Sequence, residues 1–156
     1  MIFVTLGTQD KEFKRLLEMV DNAIEKGVIK DKVIAQIGIT KYTTNNMELF
    51  DYTTNEEMLN YIEKADYIIT HGGVGTIFNC LKKGKKVIVV PRLAKYGEHH
   101  NDHQLQVVEE FTKKGYILDG SNLEEAITKI ETFMPNKYQS NNDNFITNLI
   151  DYIDKN

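Results

Sequence analysis

Three glycines fall within five positions in the stretch His71-Gly72-Gly73-Val74-Gly75-Thr76. Glycine is costly in regular structure, because it loses the most backbone freedom on folding. A cluster of this kind points to something that must approach the backbone closely. A second stretch of similar build, Leu6-Gly7-Thr8-Gln9-Asp10, follows the first apolar run of the chain. Both sit where a strand ends and a helix is due to begin. There, free backbone N–H groups and the positive end of a helix dipole face one crevice, which suits an anion such as a diphosphate. The hydroxyl of Thr8 or Thr76 adds a donor. The alternative is a tight strand-to-helix turn made by Gly72, Gly73 and Gly75 with no ligand in it. The spacing is neither G-x-G-x-x-G nor a P-loop, since no Gly-Lys-Ser/Thr follows.

A third stretch, residues 91–106, carries Arg92, Lys95, Tyr96, Glu98, His99, His100, Asn101, Asp102, His103 and Gln104. So many hydrogen-bonding side chains between a strand and a helix predict a loop that recognises a polar ligand. His103 and Gln104, at the junction with the helix, are expected to touch it. His99 and His100 have solvated loop histidines as their alternative reading. Three of the chain's four histidines lie here, so a metal site was weighed. No H-E-x-x-H pattern exists and no cysteine joins in, so no bound metal and no cofactor is expected.

The elements that must position these residues alternate. Apolar runs at 2–6, 32–38, 47–52, 66–70, 86–91 and 116–119 read as strands. Helical patterns lie at 11–27, 55–65, from the glycine turn to about Lys83, at 102–115 and at 121–133. Gly27 and Gly84 are placed to end two of them, and Asn55 to cap another. Strands alternating with helices predict a Rossmann-like α/β fold: a mostly parallel sheet with helices on both faces. One domain over residues 1–156 is expected, with a polar loop at about 135–144 and a short terminal helix at 145–153.

Bulk properties agree with a globular chain. It has 156 residues, 41% of them apolar and 27% charged. The formal net charge of −4 argues against a general nucleic-acid binder. No run approaches the roughly 20 apolar residues of a membrane span. The start of the chain reads as no secretory signal. The single cysteine, Cys80, excludes an internal disulfide and fits a reducing cytosol.

Taken in order, "FVTLGTQ", "ITHGGVGT" and "VPR…YGEHHNDHQ" resemble glycosyltransferase family 28 of the C-terminal-domain type, from residue 1 to about 130. These are small domains that form the sugar-nucleotide-binding half of a GT-B enzyme. The likeness extends to bacterial exopolysaccharide and capsule subunits that work in pairs, and to the cytosolic subunit of the dolichol-linked N-acetylglucosaminyltransferase. It implies that Gly7, Thr8 and Gln9, with His71, Gly72, Gly73, Val74, Gly75 and Thr76, embrace a UDP diphosphate. It implies that the 91–104 loop reaches the sugar and phosphates, with His103 and Gln104 as a donor pair. Many relatives bind the ribose with a glutamate at the position of Asn79. Asn79 still donates and accepts, but without a charged bidentate grip; its other reading is an exposed helix residue.

The same resemblance implies an inverting, metal-independent transfer from a UDP-sugar. Amides at a helix N-terminus would stabilise the leaving diphosphate. His71 would add a donor or else pack against the strand end. Arg92 or Lys95 would offer a positive charge or else stand as a solvated loop charge. Glu98, His99 and His100 are the in-chain candidates for the general base. A separate membrane-anchored partner is expected to bind a lipid-linked saccharide acceptor, to supply the base in part or whole, and to recruit this cytoplasmic chain to the inner face of the membrane. The sugar is galactose, or else glucose or N-acetylglucosamine. The competing reading is a non-catalytic nucleotide-sugar-binding module that regulates or scaffolds a partner.

Overall fold

A computed structural model describes residues 1–138. The terminal helix expected at 145–153, and the polar loop beyond residue 138, lie outside the described residues. Six strands form one sheet: β1 (Ile2–Thr5), β2 (Val33–Gln36), β3 (Glu48–Phe50), β4 (Tyr67–Thr70), β5 (Val87–Val89) and β6 (Leu118–Asp119). Their spatial order is β3-β2-β1-β4-β5-β6, and every pairing is parallel. Five helices connect or flank them: α1 (Lys14–Glu25), α2 (Asn55–Lys64), α3 (Val74–Lys82), α4 (His103–Lys113) and α5 (Leu123–Ile130). The architecture is thus the Rossmann-like α/β sheet that the alternating pattern predicts.

Strand residues sort by parity onto two layers. Ile2, Val4 and Leu6 face α1 and α5, where Leu16, Leu17, Val20, Leu123 and Ile127 are buried. Phe3 and Ile68 face the other layer with Ile62 of α2, Ile77 and Leu81 of α3, and Val108 and Phe111 of α4. Both faces of the central strands are therefore dry, which explains why their sequences are continuous apolar runs rather than alternating ones. Each fully buried Leu or Ile contributes about 1.5–3 kcal/mol.

The observed elements are shorter than the apolar and helical runs that announced them, for local reasons. The first helix starts at Lys14 rather than Lys11, because Phe13 is non-helical (φ −137°, ψ 59°) and its amide donates to Thr40 Oγ1 at 3.0 Å. The cap of α2 is Thr54 rather than Asn55: Thr54 Oγ1 accepts from the amide of Glu57 at 3.2 Å. That leaves Asn55 as the first helical residue, followed by Glu56 and Glu57 at the positive end of the helix dipole.

Chain direction reverses its march across the sheet at β1 and β4. The first connection runs from β1 outward to β2 and β3; the later ones run from β4 outward to β5 and β6. Loops leaving the carboxyl ends of β1 and β4 consequently part from one another and leave a crevice between them. The carboxyl ends carry a polar row. Gln36, Thr5 and Thr70 are laterally paired across β2, β1 and β4, and all three are buried.

Candidate functional site

The two glycine stretches meet at this crevice. It opens into a pocket of about 250 Å³ whose walls include Gly7, Thr8 and Gln9 from the loop after β1, and His71, Gly73, Gly75 and Thr76 from the turn after β4. Thr5, Gln36, Tyr52, Thr53 and Met58 complete it. A larger depression of about 630 Å³, between Ile2, Tyr67, Lys86 and Glu131, lies at the amino ends of the strands. Ligands of open α/β sheets bind at the carboxyl ends, beside helix N-termini. The smaller pocket has that position.

Two buried glutamines hold its walls. Gln36 Oε1 accepts from Thr5 Oγ1 at 2.7 Å, while its Nε2 donates to the carbonyls of Gly7 (3.2 Å) and Asp51 (2.8 Å). It thereby fixes the loops after β1 and β3 to the strand between them. Gln104, at the start of α4, does the same on the far side. Its Oε1 accepts from the amides of Gly72 (2.9 Å) and Arg92 (3.0 Å), and its Nε2 lies 3.2 Å from His71 Nδ1.

His71 is 5% exposed. Its ring lies between two glycines. A Cβ on Gly7 would come within 2.3 Å of Nε2, and one on Gly73 within 2.2 Å of Cε1. Only residues without side chains fit there, and Gly7 also holds a φ of +77°. Burial and the neighbouring Arg92 charge push the imidazole pKa down from 6.5 to about 3, so the ring is neutral. Its Nε2 is buried without a hydrogen-bond partner among the described residues.

Helix α3 begins at the same wall. Its N-cap is Gly73, which has no side chain to accept from the first-turn amides. Those amides and the positive helix end stay available for an anion. No lysine, arginine, aspartate or glutamate lines the pocket among the described residues. An anion there meets neutral donors: backbone N–H groups, threonine hydroxyls and the His71 ring.

The other expected site residues stand elsewhere. Gly72 points at Gln104, and Val74 starts α3 behind the turn. Asn79 is exposed one helical turn beyond Gly75 and does not line the pocket. Arg92 is 1% exposed. Its guanidinium donates to the carbonyls of Lys11 (2.8 Å), Glu98 (3.0 Å) and Leu6 (2.6 Å) and lies 5.0 Å over the Phe13 ring. It is a staple between the loops after β1 and β5, not a solvated charge. Burial lowers its pKa to about 10, which leaves it charged at neutral pH. Lys95 is exposed beside Tyr96.

Glu98 is also interior, 4% exposed. Its carboxylate takes two bonds from Arg15, at 3.0 Å each, and one from the amide of Leu93 at 3.0 Å. Buried, and bound through both oxygens to these donors, it is held as a structural tie rather than turned towards the pocket, which it does not line. His99 and His100 stack at 4.4 Å. Burial, then His100 and Arg92, hold the pKa of His99 below its usual value, and its Nδ1 accepts from the amide of Asn101 at 3.3 Å. The backbone N–H of His103 is satisfied by Asn101 Oδ1 at 2.9 Å. Neither His103 nor Gln104 lines the pocket. The described residues hold no cluster of three or more His, Cys, Asp or Glu side chains suited to a metal. No described helix is long and apolar enough to cross a membrane.

With this geometry in view, comparison with known proteins decides the family. Residues 1–155 match the glycosyltransferase family 28 C-terminal domain. The chain belongs to that family. Among similar proteins, the UDP-N-acetylglucosamine transferase subunit ALG13 of Candida albicans is 31% identical over 107 residues, which is 69% of this chain and 32% of that protein. The human protein of the same name is 29% identical over 125 residues, 74% of this chain and 10% of that one. This family 28 chain therefore spans only a tenth to a third of those two relatives. An NMR solution structure of ALG13 superposes with a TM-score of 0.59 at 19% identity, covering 95% of this chain and 94% of that one. The glycosyltransferase SnogD from Streptomyces nogalater gives 0.55 at 19% identity over 83% of this chain and 34% of its own. Both likenesses show a shared fold.

Thr5, Gln36, Tyr52, Thr53 and Met58 are pocket residues that the sequence reading missed. Gln36 had a signal. It is a polar residue at the carboxyl end of an otherwise apolar run, and Thr5 and Thr70 end their runs in the same way.

Proposed function

We propose that this chain is the donor-binding half of a two-component glycosyltransferase, and that its pocket holds the diphosphate of a UDP-sugar. The observation that carries this reading is the unpartnered Nε2 of His71, buried at the wall of the pocket beside the uncapped start of α3. A diphosphate supplies the acceptors that both lack. When the bond from the sugar to the β-phosphate breaks, negative charge grows on the leaving UDP. Amides and a neutral imidazole already in place stabilise that charge without reorganising, and removing one such donor costs about 10²–10³-fold in rate.

Names of the relatives favour N-acetylglucosamine over galactose or glucose as the sugar transferred; the acceptor in this reading is a lipid-linked saccharide. A bacterial surface-polysaccharide setting fits the same acceptor chemistry. A partner subunit follows from two features. The pocket, at about 250 Å³, is smaller than the roughly 300–1,000 Å³ of sites that enclose a small ligand, which favours a second surface over the sugar. The pocket also lacks a carboxylate or titrating histidine to act as base, with Glu98 bound to Arg15. The missing base favours, as a second reading, a nucleotide-sugar-binding module without catalysis of its own.

Calorimetric titration with UDP tests the site: His71→Gln is expected to weaken binding about tenfold or more, and equal affinity would remove the diphosphate reading. Transfer assays with the partner subunit added separate the two readings. The enzyme subunit gains transfer to a lipid-linked acceptor, whereas a binding module gains none.

A further inference from the structure

We propose that Gln104 is a positioning residue that sets which ring nitrogen of His71 carries the proton. The orientation of its carboxamide is dictated by its surroundings. Two backbone amides, from Gly72 and Arg92, converge on Oε1 at 2.9 and 3.0 Å. A flipped amide would set its NH2 group against both donors, so the oxygen belongs there. That leaves Nε2, a donor only, 3.2 Å from His71 Nδ1. Nδ1 must present its lone pair. A neutral imidazole with a lone pair on Nδ1 carries its hydrogen on Nε2, the atom without a partner among the described residues.

A ring rotated by half a turn would fill the same space between Gly7 and Gly73 but would set Cδ2–H against the Nε2 donor of Gln104, so the same contact fixes the ring's orientation. Nor does protonation blur it. Arg92 and His99 are the charged or titratable groups acting on the ring, and both disfavour the imidazolium. Gln104 thus holds three things together: the turn after β4, the loop after β5 and the proton on His71. Its amide has no remaining capacity for a sugar hydroxyl at Oε1. The consequence for an anion in the pocket rests on the reading above: Nε2–H faces a phosphate oxygen as a donor, and a ring protonated at Nδ1 would face it with a lone pair.

Glutamate at position 104 inverts the logic. Its carboxylate keeps the two amides but accepts from His71, which moves the proton to Nδ1 or charges the ring. Two-bond ¹H–¹⁵N correlation spectra of the full chain, at neutral pH and without ligand, read this directly. In the wild type, the Nε2 shift is expected in the protonated range and Nδ1 in the unprotonated range. In Gln104→Glu the Nδ1 shift moves into the protonated range. Gln104→Met, which lacks the donor, is expected to show an averaged pair of tautomers. A wild-type ring protonated at Nδ1, which needs no variant to detect, overturns the proposal. So does a ring unchanged in either variant. UDP titration is the separate arm. A confirmed tautomer with no UDP binding removes the diphosphate reading and leaves the role of Gln104 intact. UDP binding weakened tenfold or more in Gln104→Glu supports both.

Discussion

The ring of His71 fills the space that a side chain on Gly7 would occupy: a Cβ there would stand 2.3 Å from Nε2 and 2.7 Å from Cε1. The loop after β1 and the turn after β4, far apart in sequence, pack against each other at this contact. Gly7→Ala would have to displace the imidazole and also adopt a left-handed conformation, at a cost of about 1–2 kcal/mol. Gly73→Ala has no φ penalty but meets Cε1 at 2.2 Å. Both variants are expected to lose UDP affinity about tenfold or more, and Gly7→Ala to be the less stable in urea. Calorimetry and denaturation curves measure the two effects separately.

Gly75 differs from its neighbours. A Cβ there would meet nothing within 4 Å, yet the residue lines the pocket and sits in the first turn of α3. Alanine in place of glycine in a helix gains up to about 1 kcal/mol. Gly75→Ala is therefore expected to raise the melting temperature while weakening UDP binding, because its methyl group projects into the space the ligand needs. A stabilised variant with undiminished affinity would place the ligand elsewhere.

His71 links stability to pH. The unfolded chain takes up this proton near pH 6.5, the folded protein only near 3. Between those values unfolding binds a proton, so stability is full above about 6.5 and falls as the pH drops towards 3. The slope from this group reaches at most about 1.4 kcal/mol per pH unit. In His71→Gln that contribution is absent. Urea midpoints across the window should fall less steeply for the variant than for the wild type; parallel curves would mean that the imidazole is not kept neutral by burial.

Glu98 gives a test of structure against catalysis. Its carboxylate ties Arg15 to Leu93. Glu98→Gln keeps the shape but loses the charge and one acceptor, and is expected to cost about 1–3 kcal/mol in urea denaturation. UDP binding and transfer by the folded fraction should stay within about threefold. A stable protein slowed 10²–10⁴-fold would instead make this residue the general base.

Much of the site could be read from the chain because its signals are local. Glycine spacing after an apolar run, as at Gly7 and Gly73, follows from steric limits that act over a few residues. The sheet was equally legible, since its central strands are dry on both faces. The 91–104 loop was harder. Its many polar groups suggest ligand recognition, yet Arg92 serves three carbonyls, Glu98 serves Arg15 and Leu93, and Asp102 accepts from the amide of Ala94 at 2.8 Å. A loop that covers a sheet end must satisfy its own buried backbone. Sequence counts polar atoms but not the partners they find across the fold. Tyr52 and Met58 carry no pattern at all; the pairing of β2 with β3 brings their segment to the pocket.

If the pocket holds a nucleotide as proposed, the lack of a formal charge among the described residues of its wall also bears on how that ligand comes and goes. Sites that hold phosphates by lysine and arginine bind through counterion release and weaken steeply as ionic strength rises. Here the wall offers dipoles and shared hydrogens, and the guanidinium of Arg92 is held by carbonyl oxygens. On the proposed reading, UDP would depart without an ion pair being pulled apart, and its release is expected to change little with ionic strength.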